Sequence, residues 1–300
     1  MSAAGSSSAS LAVVGADGTL GRILTARLGA RGVNVRCPDP RDDQPVAALS
    51  DVDVVVHAGG PRVRPGLGWA DYFREHVGVT TTVVRSMRPG AHLVHLSSTA
   101  VFGARGEKVG PASREAPTAF PSAAYASAKL AAETAARALG AARGLEVTVL
   151  RPSMVYGPGV DSALSSIARL STRGLSLRLS PASVRQHLVH IELLVRAVSQ
   201  ATLRPAVALP LLVADPFVLT NADLVPRGGG LPFALDLRAA SAASEVLSRV
   251  AFGGSLTLDA LAVLAIDNEF DVAPTFRALD FDPHDFRRGT TFDPYWESPS

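Results

Sequence analysis

Apolar segments alternate with helical patterns through the first half of the chain, and this alternation restricts the fold more than any other feature. Strands are predicted in LAVVGADGTLG (Leu11–Gly21), VNVRC (Val33–Cys37), DVDVVVHAGG (Asp51–Gly60), AHLVHLSS (Ala91–Ser98) and LEVTVLRP. Helical periodicity is found in RILTARLGARG, WADYFREHVGVTTTVVRSM and SAAYASAKLAAETAARALGAARG. Strands that alternate with helices predict an α/β protein with a doubly wound parallel sheet, covered by helices on both faces.

The alternation fades after about Tyr156, which indicates a different organisation in the second half. The elements predicted there are a helix in SALSSIARLSTRG, a strand and helix in HLVHIELLVRAVSQA, a strand in LPLLVADP and a loop in PRGGGLP (Pro226–Pro232). We predict a flexible N-terminal tail over residues 1–10 and a sheet domain over residues 11–160. Residues 161–300 are predicted to form mainly a smaller C-terminal lobe that is interleaved with the sheet domain.

Composition narrows the classes of function. The 300 residues carry a formal net charge of +2 and their basic residues are dispersed, so nucleic acid is not an expected partner. The single cysteine, Cys37, excludes an internal disulfide, and the scattered histidines predict no metal site. The N-terminus MSAAGSSSAS lacks the features of a signal peptide, and no apolar run approaches the roughly 18 residues of a membrane span. We therefore expect a cytoplasmic protein without a membrane partner.

A glycine-rich loop follows the first predicted strand and opens the first helix. Its sequence GADGTLG places glycines at Gly15, Gly18 and Gly21. Gly15 permits a tight turn, Gly18 lets the backbone approach a pyrophosphate, and Gly21 allows the helix to pack closely on the strand. The N–H groups at the helix N-terminus would then bind the phosphates of a dinucleotide. An ordinary strand-turn-helix connection is the alternative interpretation. The predicted cofactor-binding loop also includes Asp17, Thr19 and Leu20.

The end of the second predicted strand carries the residue that would distinguish the two nicotinamide cofactors. Asp39 follows Gly32 by seven positions, where a carboxylate can accept hydrogen bonds from the adenosine ribose, which favours NAD. Arg36 and Arg41 flank Asp39 and can pair with a 2′-phosphate, which favours NADP. A solvated polar turn is a third interpretation. The sequence therefore leaves NAD and NADP both open.

Hydroxyl side chains and a tyrosine–lysine pair form the candidate catalytic group. LSSTAVFG ends a predicted strand at the edge where a parallel sheet binds its ligand, so Ser98 or Thr99 can hold a substrate oxygen. Tyr125 and Lys129 stand four apart in AYASAKLAAE and share one helix face. The Lys129 ammonium is expected to lower the pKa of the Tyr125 phenol from its usual value of about 10, which makes an acid/base for hydride transfer. Simple turn chemistry and a solvated helix face are the alternatives.

Together these motifs resemble the extended short-chain dehydrogenase/reductase superfamily, in its NAD-dependent epimerase/dehydratase branch of nucleotide-sugar enzymes. GADGTLG is similar to the family's GxxGxxG loop, and Tyr125 with Lys129 is similar to its YxxxK pair. LSSTAVFG resembles the family's SSxxVYG segment, which places Ser98 at the catalytic position. DVDVVVHAGG resembles the family's DVDVVIHLAA strand, so the backbone of Ala58 and Gly59 is implied to pass the cofactor.

The resemblance extends from Leu11 to Gly289 and implies further site residues. LRPSMVYGPG is similar to the family's LRPxxVYGPG stretch, which places Pro152 near the nicotinamide. RQHLVHIELL resembles the segment whose arginine binds the nucleotide diphosphate in UDP-sugar epimerases, so Arg185 is the expected substrate residue, with Thr99 as a second substrate contact. FRALDFDPHDFRRG resembles the family's C-terminal signature. The family implies a Rossmann-type doubly wound sheet with a smaller C-terminal substrate-binding lobe, and analogy suggests a homodimer.

The chain departs from the family pattern at several positions. Only about fifteen residues separate Val35 from Asp51, which leaves little room for the third strand and following helix of the family. His76 replaces an asparagine that normally supports the active-site helix. Thr99 and Ala100 stand where a dehydratase carries an acidic pair, which argues against dehydration. These changes indicate a diverged member of the family.

The combined expectation is an NAD(P)-dependent oxidoreductase or epimerase that acts on a nucleotide-activated sugar or a related secondary alcohol. In the oxidation direction, Tyr125 as phenolate takes the hydroxyl proton and Ser98 hydrogen-bonds the substrate oxygen. Lys129 lowers the pKa of Tyr125 and holds the nicotinamide ribose. Two alternatives stay open: a ketoreductase that releases its cofactor, and a non-catalytic nucleotide-sensing protein on the same fold.

Overall fold

The structure of the protein is a computed structural model. It describes residues 10–30, 35–37, 39, 49–64, 66–104, 106–119, 122–166, 175–224, 231–236 and 262–286. Several sequence predictions concern residues outside these ranges. They are the tail before Ser10, Arg41, the segment 40–48, most of the loop that begins at Pro226, and the C-terminal signature beyond Phe286.

A six-stranded parallel sheet forms the centre of the described structure, which confirms the predicted fold class. In spatial order its strands are β2 (Val35–Arg36), β1 (Leu11–Val14), β3 (Val54–His57), β4 (His92–Leu96), β6 (Glu146–Pro152) and β11 (Leu211–Val213). Every neighbouring pair is parallel. Strands β1, β3 and β4 are buried along their whole length, as strands covered on both faces are. The strand order reverses between β1 and β3, and such sheets bind ligands at that point, beyond the carboxyl ends of the strands.

Helices cover both faces of this sheet. They are α1 (Thr19–Gly29), α2 (Trp69–Phe73), α3 (Val79–Ser86), α4 (Ala123–Ala142), α5 (Ile191–Leu203) and α6 (Ala273–Leu279), with a π-helical turn (Arg74–Gly78) between α2 and α3. Short 3₁₀ turns lie at Thr99–Phe102, Pro117–Ala119 and Pro283–Phe286. Helices α1, α5 and α6 share one apolar core with the sheet, and α3 and α4 share a second core on the opposite face. None of the described helices combines the length and apolar character needed to cross a membrane.

Two-stranded sheets lie outside the central sheet. They are β10 (Val189–His190) with β7 (Val155–Tyr156), β12 (Leu219–Thr220) with β9 (Arg185–Gln186), β13 (Leu231–Asp236) with β8 (Leu175–Ser180), and β14 (Glu269–Phe270) with β5 (Lys108–Val109). The prediction of a loop over Pro226–Pro232 is wrong at its end, because Leu231 and Pro232 begin β13 and pair in parallel with β8. Both strands of a two-stranded sheet are edge strands, where a proline without an N–H group is tolerated.

Glycines in the turn between β1 and α1 make backbone contacts that leave no room for a larger residue. Gly15 has a φ angle of +85°, and a Cβ atom there would lie 2.5 Å from the Cα atom of Gly59, in the loop after β3. A Cβ atom on Gly21 would lie only 1.9 Å from the backbone oxygen of Gly15. Gly21 therefore allows helix α1 to pack directly against the turn that precedes it.

We expect Gly21→Ala to destabilise the protein, because the added methyl group overlaps backbone atoms that cannot rotate away. Overpacking of this kind typically costs about 1–3 kcal/mol. Gly29→Ala is the matched control in the same helix, since nothing lies within 4 Å of a Cβ atom at that position. The control is expected to be neutral or to stabilise by up to about 1 kcal/mol. Urea denaturation measures both variants, and equal stabilities would contradict the packing role of Gly21.

Candidate active site

A cleft of about 990 Å³ opens at the carboxyl ends of strands β1, β3, β4 and β6. The predicted site residues that line it are Gly15, Asp17, Gly18, Thr19, Leu20, Asp39, Ala58, Gly59, Ser98, Thr99, Tyr125, Lys129 and Pro152. Of the predicted site residues, Gly21 and Arg185 do not line it. The fold thus brings the predicted cofactor and catalytic residues to one cleft, and their individual roles stay predictions.

The N-terminus of helix α1 forms one end of this cleft. Gly18 is the N-cap residue and provides no side-chain cap, and its backbone oxygen accepts a hydrogen bond from the N–H group of Arg22 at 2.9 Å. The N–H groups of the first helical turn are therefore available to an anionic ligand, and the helix dipole adds positive potential there. This uncapped terminus, beside a backbone turn without side chains at Gly15 and Gly18, fits the pyrophosphate of a dinucleotide.

The cleft also extends past the end of strand β2, where Cys37 and Asp39 line it. Arg36, which the sequence made a candidate for binding a 2′-phosphate, forms a bidentate ion pair with Asp51 at 2.5 and 3.0 Å. This hydrogen-bonded pair lowers the pKa of the Asp51 carboxyl. Arg36 is therefore already engaged by a carboxylate, whereas Asp39 faces the ligand space.

Ser98 and Tyr125 come together where strand β4 ends. The Oγ atom of Ser98 accepts a hydrogen bond from the N–H group of Ala100 at 3.1 Å and so caps the 3₁₀ turn that follows. The Ser98 side chain favours the ionised form of Tyr125 and so lowers the pKa of that phenol in part. Thr99, the next hydroxyl of this segment, is largely buried and lines the same cleft. The hydroxyls of Ser98 and Tyr125 thus line one cleft.

The expectation of a lowered Tyr125 pKa is wrong for this structure. Burial raises the pKa of Tyr125 to about 12, and the Ser98 side chain opposes only part of the rise. The physical reason is that burial disfavours the charged phenolate more strongly than the neighbouring groups stabilise it. The phenol of Tyr125 is therefore protonated at neutral pH.

Lys129 is buried behind Tyr125 among neutral side chains. Its Nζ atom donates a hydrogen bond to the backbone oxygen of Leu96 at 3.0 Å, and burial lowers its pKa to about 8. Burial also lowers the pKa values of His57, His76 and His95, and the nearby charge of Lys129 lowers them further. All three imidazoles are therefore neutral at physiological pH, and the positive charge of this group resides on Lys129.

The π-helical turn places His76 against Tyr125. The ring of His76 stacks on Tyr72 with 6.1 Å between centroids, and these two rings meet the Tyr125 ring edge-on at 5.6 and 5.8 Å. The Nε2 atom of His76 lies 3.0 Å from the backbone oxygen of Pro61 and donates to it. A Cβ atom on Gly60 would lie 2.2 Å from the His76 ring. The sequence identified His76 only as a departure from the family's asparagine, and its contact with Tyr125 emerges only from the fold.

The arginines that line the cleft do not include Arg185, which the sequence predicted as the substrate-binding residue. The Nη2 atom of Arg185 lies 2.5 Å from a carboxylate oxygen of Glu269, and Arg185 does not line the cleft. Arg62, Arg64 and Arg74 do line it, and none of them was identified from the sequence. For Arg62 and Arg64 the available signal was their position just after the carboxyl end of a predicted strand, where parallel sheets bind their ligands. Arg74 lies in the π-helical turn, and its place in the cleft emerges only from the fold.

We expect Lys129→Met to stabilise the fold at neutral pH, because the variant removes an ammonium that burial makes unfavourable. The unfolded chain holds the proton up to the usual pKa of 10.5, whereas the folded protein releases it at about 8. At 1.36 kcal/mol per pKa unit this difference corresponds to about 3 kcal/mol. Urea denaturation at neutral pH is expected to show a gain of about 1–3 kcal/mol, since the variant also loses one hydrogen bond.

The pH dependence of the stability gain in Lys129→Met distinguishes removal of the buried ammonium from an effect of ordinary packing. The penalty is complete below the folded pKa of about 8 and disappears as the pH rises above 10.5, where the amine is neutral in both states. The advantage of Lys129→Met should therefore shrink between these two values. Arg85→Gln, an exposed position on α3, is the control and should show no such trend. An advantage that stays constant with pH would rule out the buried ammonium as its cause.

Comparison with known proteins identifies the family. The model of the NAD dependent epimerase/dehydratase family matches residues 11–208. The dTDP-6-deoxy-L-talose 4-dehydrogenase (NAD(P)(+)) of Kitasatospora kifunensis is 30% identical over 224 residues, which are 64% of this chain and 69% of that protein. MoeE5 in complex with UDP-glucose and NAD has a TM-score of 0.70 at 21% identity, over 94% of both chains. The UDP-glucuronic acid 4-epimerase of Bacillus cereus with NAD has a TM-score of 0.69 at 15% identity, over 91% of both chains. The chain therefore belongs to the NAD-dependent epimerase/dehydratase family of extended short-chain dehydrogenases/reductases, enzymes whose cofactor is NAD or NADP.

Proposed function

We propose that the protein catalyses hydride transfer at a secondary alcohol or ketone of a nucleotide-activated sugar, as an oxidoreductase or epimerase with Tyr125 as acid/base. One observation carries this proposal: Ser98, Tyr125 and Lys129 line the same cleft as the uncapped N-terminus of α1. The nicotinamide, when bound, supplies or accepts the hydride. The residues of the chain orient the substrate and transfer its proton.

In the direction of carbonyl reduction, Tyr125 is the acid. Its high pKa keeps the proton on the phenol until negative charge develops on the substrate oxygen beside it. Ser98 holds the same oxygen by a second hydrogen bond, and the Lys129 ammonium, one helical turn from Tyr125, stabilises the phenolate that remains. The oxygen gains the proton of Tyr125 while the carbon gains the hydride, which completes the alcohol. In the oxidation direction the same groups act in reverse.

The relatives support a nucleotide-activated sugar as the substrate class. The curated relative is named for a dTDP-linked deoxysugar, and MoeE5 was solved with UDP-glucose. The cleft, at about 990 Å³, lies at the upper end of the roughly 300–1,000 Å³ that ligand pockets span, as a site for large ligands requires.

A ketoreductase that releases its cofactor is the second candidate, because the short segment between Val35 and Asp51 leaves little room for the family's third strand beside the adenine. An epimerase must retain its nicotinamide through turnover, whereas a ketoreductase releases it. Mass spectrometry of the purified, denatured protein distinguishes the two. Retained NAD would support an epimerase that recycles its cofactor in place, and an empty protein that binds added NADH or NADPH would support the ketoreductase.

We expect Tyr125→Phe to lower kcat by about 10²–10⁴-fold, the usual effect of removing a general acid/base. The dissociation constant for NAD should change little, because the phenylalanine ring keeps the contacts with His76 and Tyr72. Turnover is measured by nicotinamide absorbance with a panel of UDP- and dTDP-sugars, and binding by calorimetry. Ser98→Ala is the companion variant and should lower kcat less. Unchanged turnover in Tyr125→Phe would remove the tyrosine from the mechanism.

We expect the protein to prefer NAD over NADP, because Asp39 lines the cleft while Arg36 is paired with Asp51. Asp39→Asn should weaken NAD binding by about tenfold, the loss of a charge-assisted hydrogen bond. Asp51→Asn is the matched variant: it releases Arg36 and should strengthen NADP binding while NAD binding stays constant. Calorimetric titration of both cofactors measures these changes. A wild-type protein that binds NADP more tightly would refute the assignment of Asp39.

A further inference from the structure

Arginines line the wall of the cleft that is built by the loop after β3 and by the π-helical turn. Arg62 donates to the carboxylate of Asp161 at 2.6 Å and to the backbone oxygen of the same residue at 2.5 Å. Arg74 pairs with Asp71 at 3.0 Å and with Glu75 at 3.4 Å. The charges of these two arginines are thus matched by carboxylates that line the same cleft.

Arg64 lines the same wall, and its charge is not matched in this way. Its side chain is exposed, and no carboxylate in the described part of the chain forms an ion pair with it. A guanidinium presents several N–H donors in one plane and binds carboxylate or phosphate groups with two hydrogen bonds. An arginine without a carboxylate partner, in a cleft that accepts ligands, attracts the anionic part of a ligand.

Tyr72 fixes the backbone of Arg64 close to the catalytic group. The Tyr72 hydroxyl accepts a hydrogen bond from the N–H group of Arg64 at 3.1 Å and donates to its backbone oxygen at 3.4 Å. The Tyr72 ring is buried and meets the Tyr125 ring edge-on at 5.8 Å. A single buried side chain therefore separates Arg64 from Tyr125, so Arg64 is anchored beside the place where the substrate would react.

Arg185 is less suited to the same task. Its guanidinium is 2.5 Å from Glu269 and lies outside the cleft lining. A phosphate would have to displace that carboxylate before Arg185 could bind it, and the displaced Glu269 would then repel the phosphate. Arg64 needs no such exchange.

We propose that Arg64 binds an anionic group of the substrate, either a phosphate of the nucleotide diphosphate or a carboxylate on the sugar. The proposal rests on the proposed function, because it requires a sugar nucleotide in this cleft. It assigns recognition of the substrate charge to the loop after β3, in place of the C-terminal segment that contains Arg185.

Calorimetric titration of the full chain at saturating NAD tests the proposal with three ligands: UDP, UDP-glucose and UDP-glucuronic acid. The variants are Arg64→Gln and Arg64→Lys. Arg85→Gln is the control, because it removes the same charge from an exposed position on α3 outside the cleft lining. Loss of charge-assisted hydrogen bonds should weaken binding by about 10–100-fold in Arg64→Gln. Arg64→Lys should be intermediate, and the separately measured affinity for NAD should stay constant.

The pattern across ligands identifies the group that Arg64 binds. Parallel weakening of all three ligands assigns Arg64 to the diphosphate, and selective weakening of UDP-glucuronic acid assigns it to the sugar carboxylate. Equal affinities in Arg64→Gln and Arg85→Gln overturn the proposal and leave the proposed function intact. Weakening of NAD instead of the sugar nucleotides also overturns it, since Arg64 would then serve the cofactor. A wild-type protein that binds NAD but neither these three ligands nor any dTDP-sugar refutes the proposed function, and the proposal with it.

Discussion

A buried ion pair between Arg151 and Glu133 joins the elements that carry the candidate active site. Arg151, at the end of β6, is 1% exposed and donates to both carboxylate oxygens of Glu133, at 3.0 and 2.7 Å. Glu133 lies one turn after Lys129 on α4, and the Arg151 guanidinium also lies 4.8 Å from the centre of the Phe102 ring, in the turn that follows Ser98. Breaking a buried pair typically costs about 3–5 kcal/mol, so strand, helix and turn are held in one arrangement. The relative positions of the serine, the tyrosine and the lysine depend on it.

Burial determines the charge states in this part of the molecule. The same burial that keeps the three histidines neutral raises the pKa of Tyr125 and lowers that of Lys129. The site therefore contains a proton on the phenol and an ammonium that the fold accommodates at a cost to stability. Functional sites commonly carry such a cost, which the rest of the core offsets. Electrostatic interactions are also stronger in a protein interior than in water, so the buried charge of Lys129 acts strongly on groups that form next to it.

Features set by local geometry could be predicted from the sequence, and features set by distant contacts could not. The strand-helix alternation and the sterics of Gly15 depend on neighbours in the chain, and both predictions agree with the structure. The four-residue spacing correctly placed Tyr125 and Lys129 on one helix that lines the cleft. The predicted direction of the Tyr125 pKa shift was wrong, because the rings that pack against it, Tyr72 and His76, come from a different part of the chain. The pairing of Arg185 with Glu269 likewise joins strands far apart in sequence, and no local pattern encodes it.

The close approach of Gly15 to Gly59 has a consequence for how this chain can change. A side chain at Gly15 would meet the backbone of Gly59 at 2.5 Å, and a side chain at Gly59 would meet the His57 ring at 3.0 Å. The His57 ring is itself fixed by a hydrogen bond with Thr80 at 3.0 Å. Substitutions along this row of contacts are therefore non-additive, because each one alters the space available to the next. A randomised library confined to the glycine loop would sample few functional sequences, and new cofactor geometries require that loop, the loop after β3 and the helix behind them to be varied as one unit.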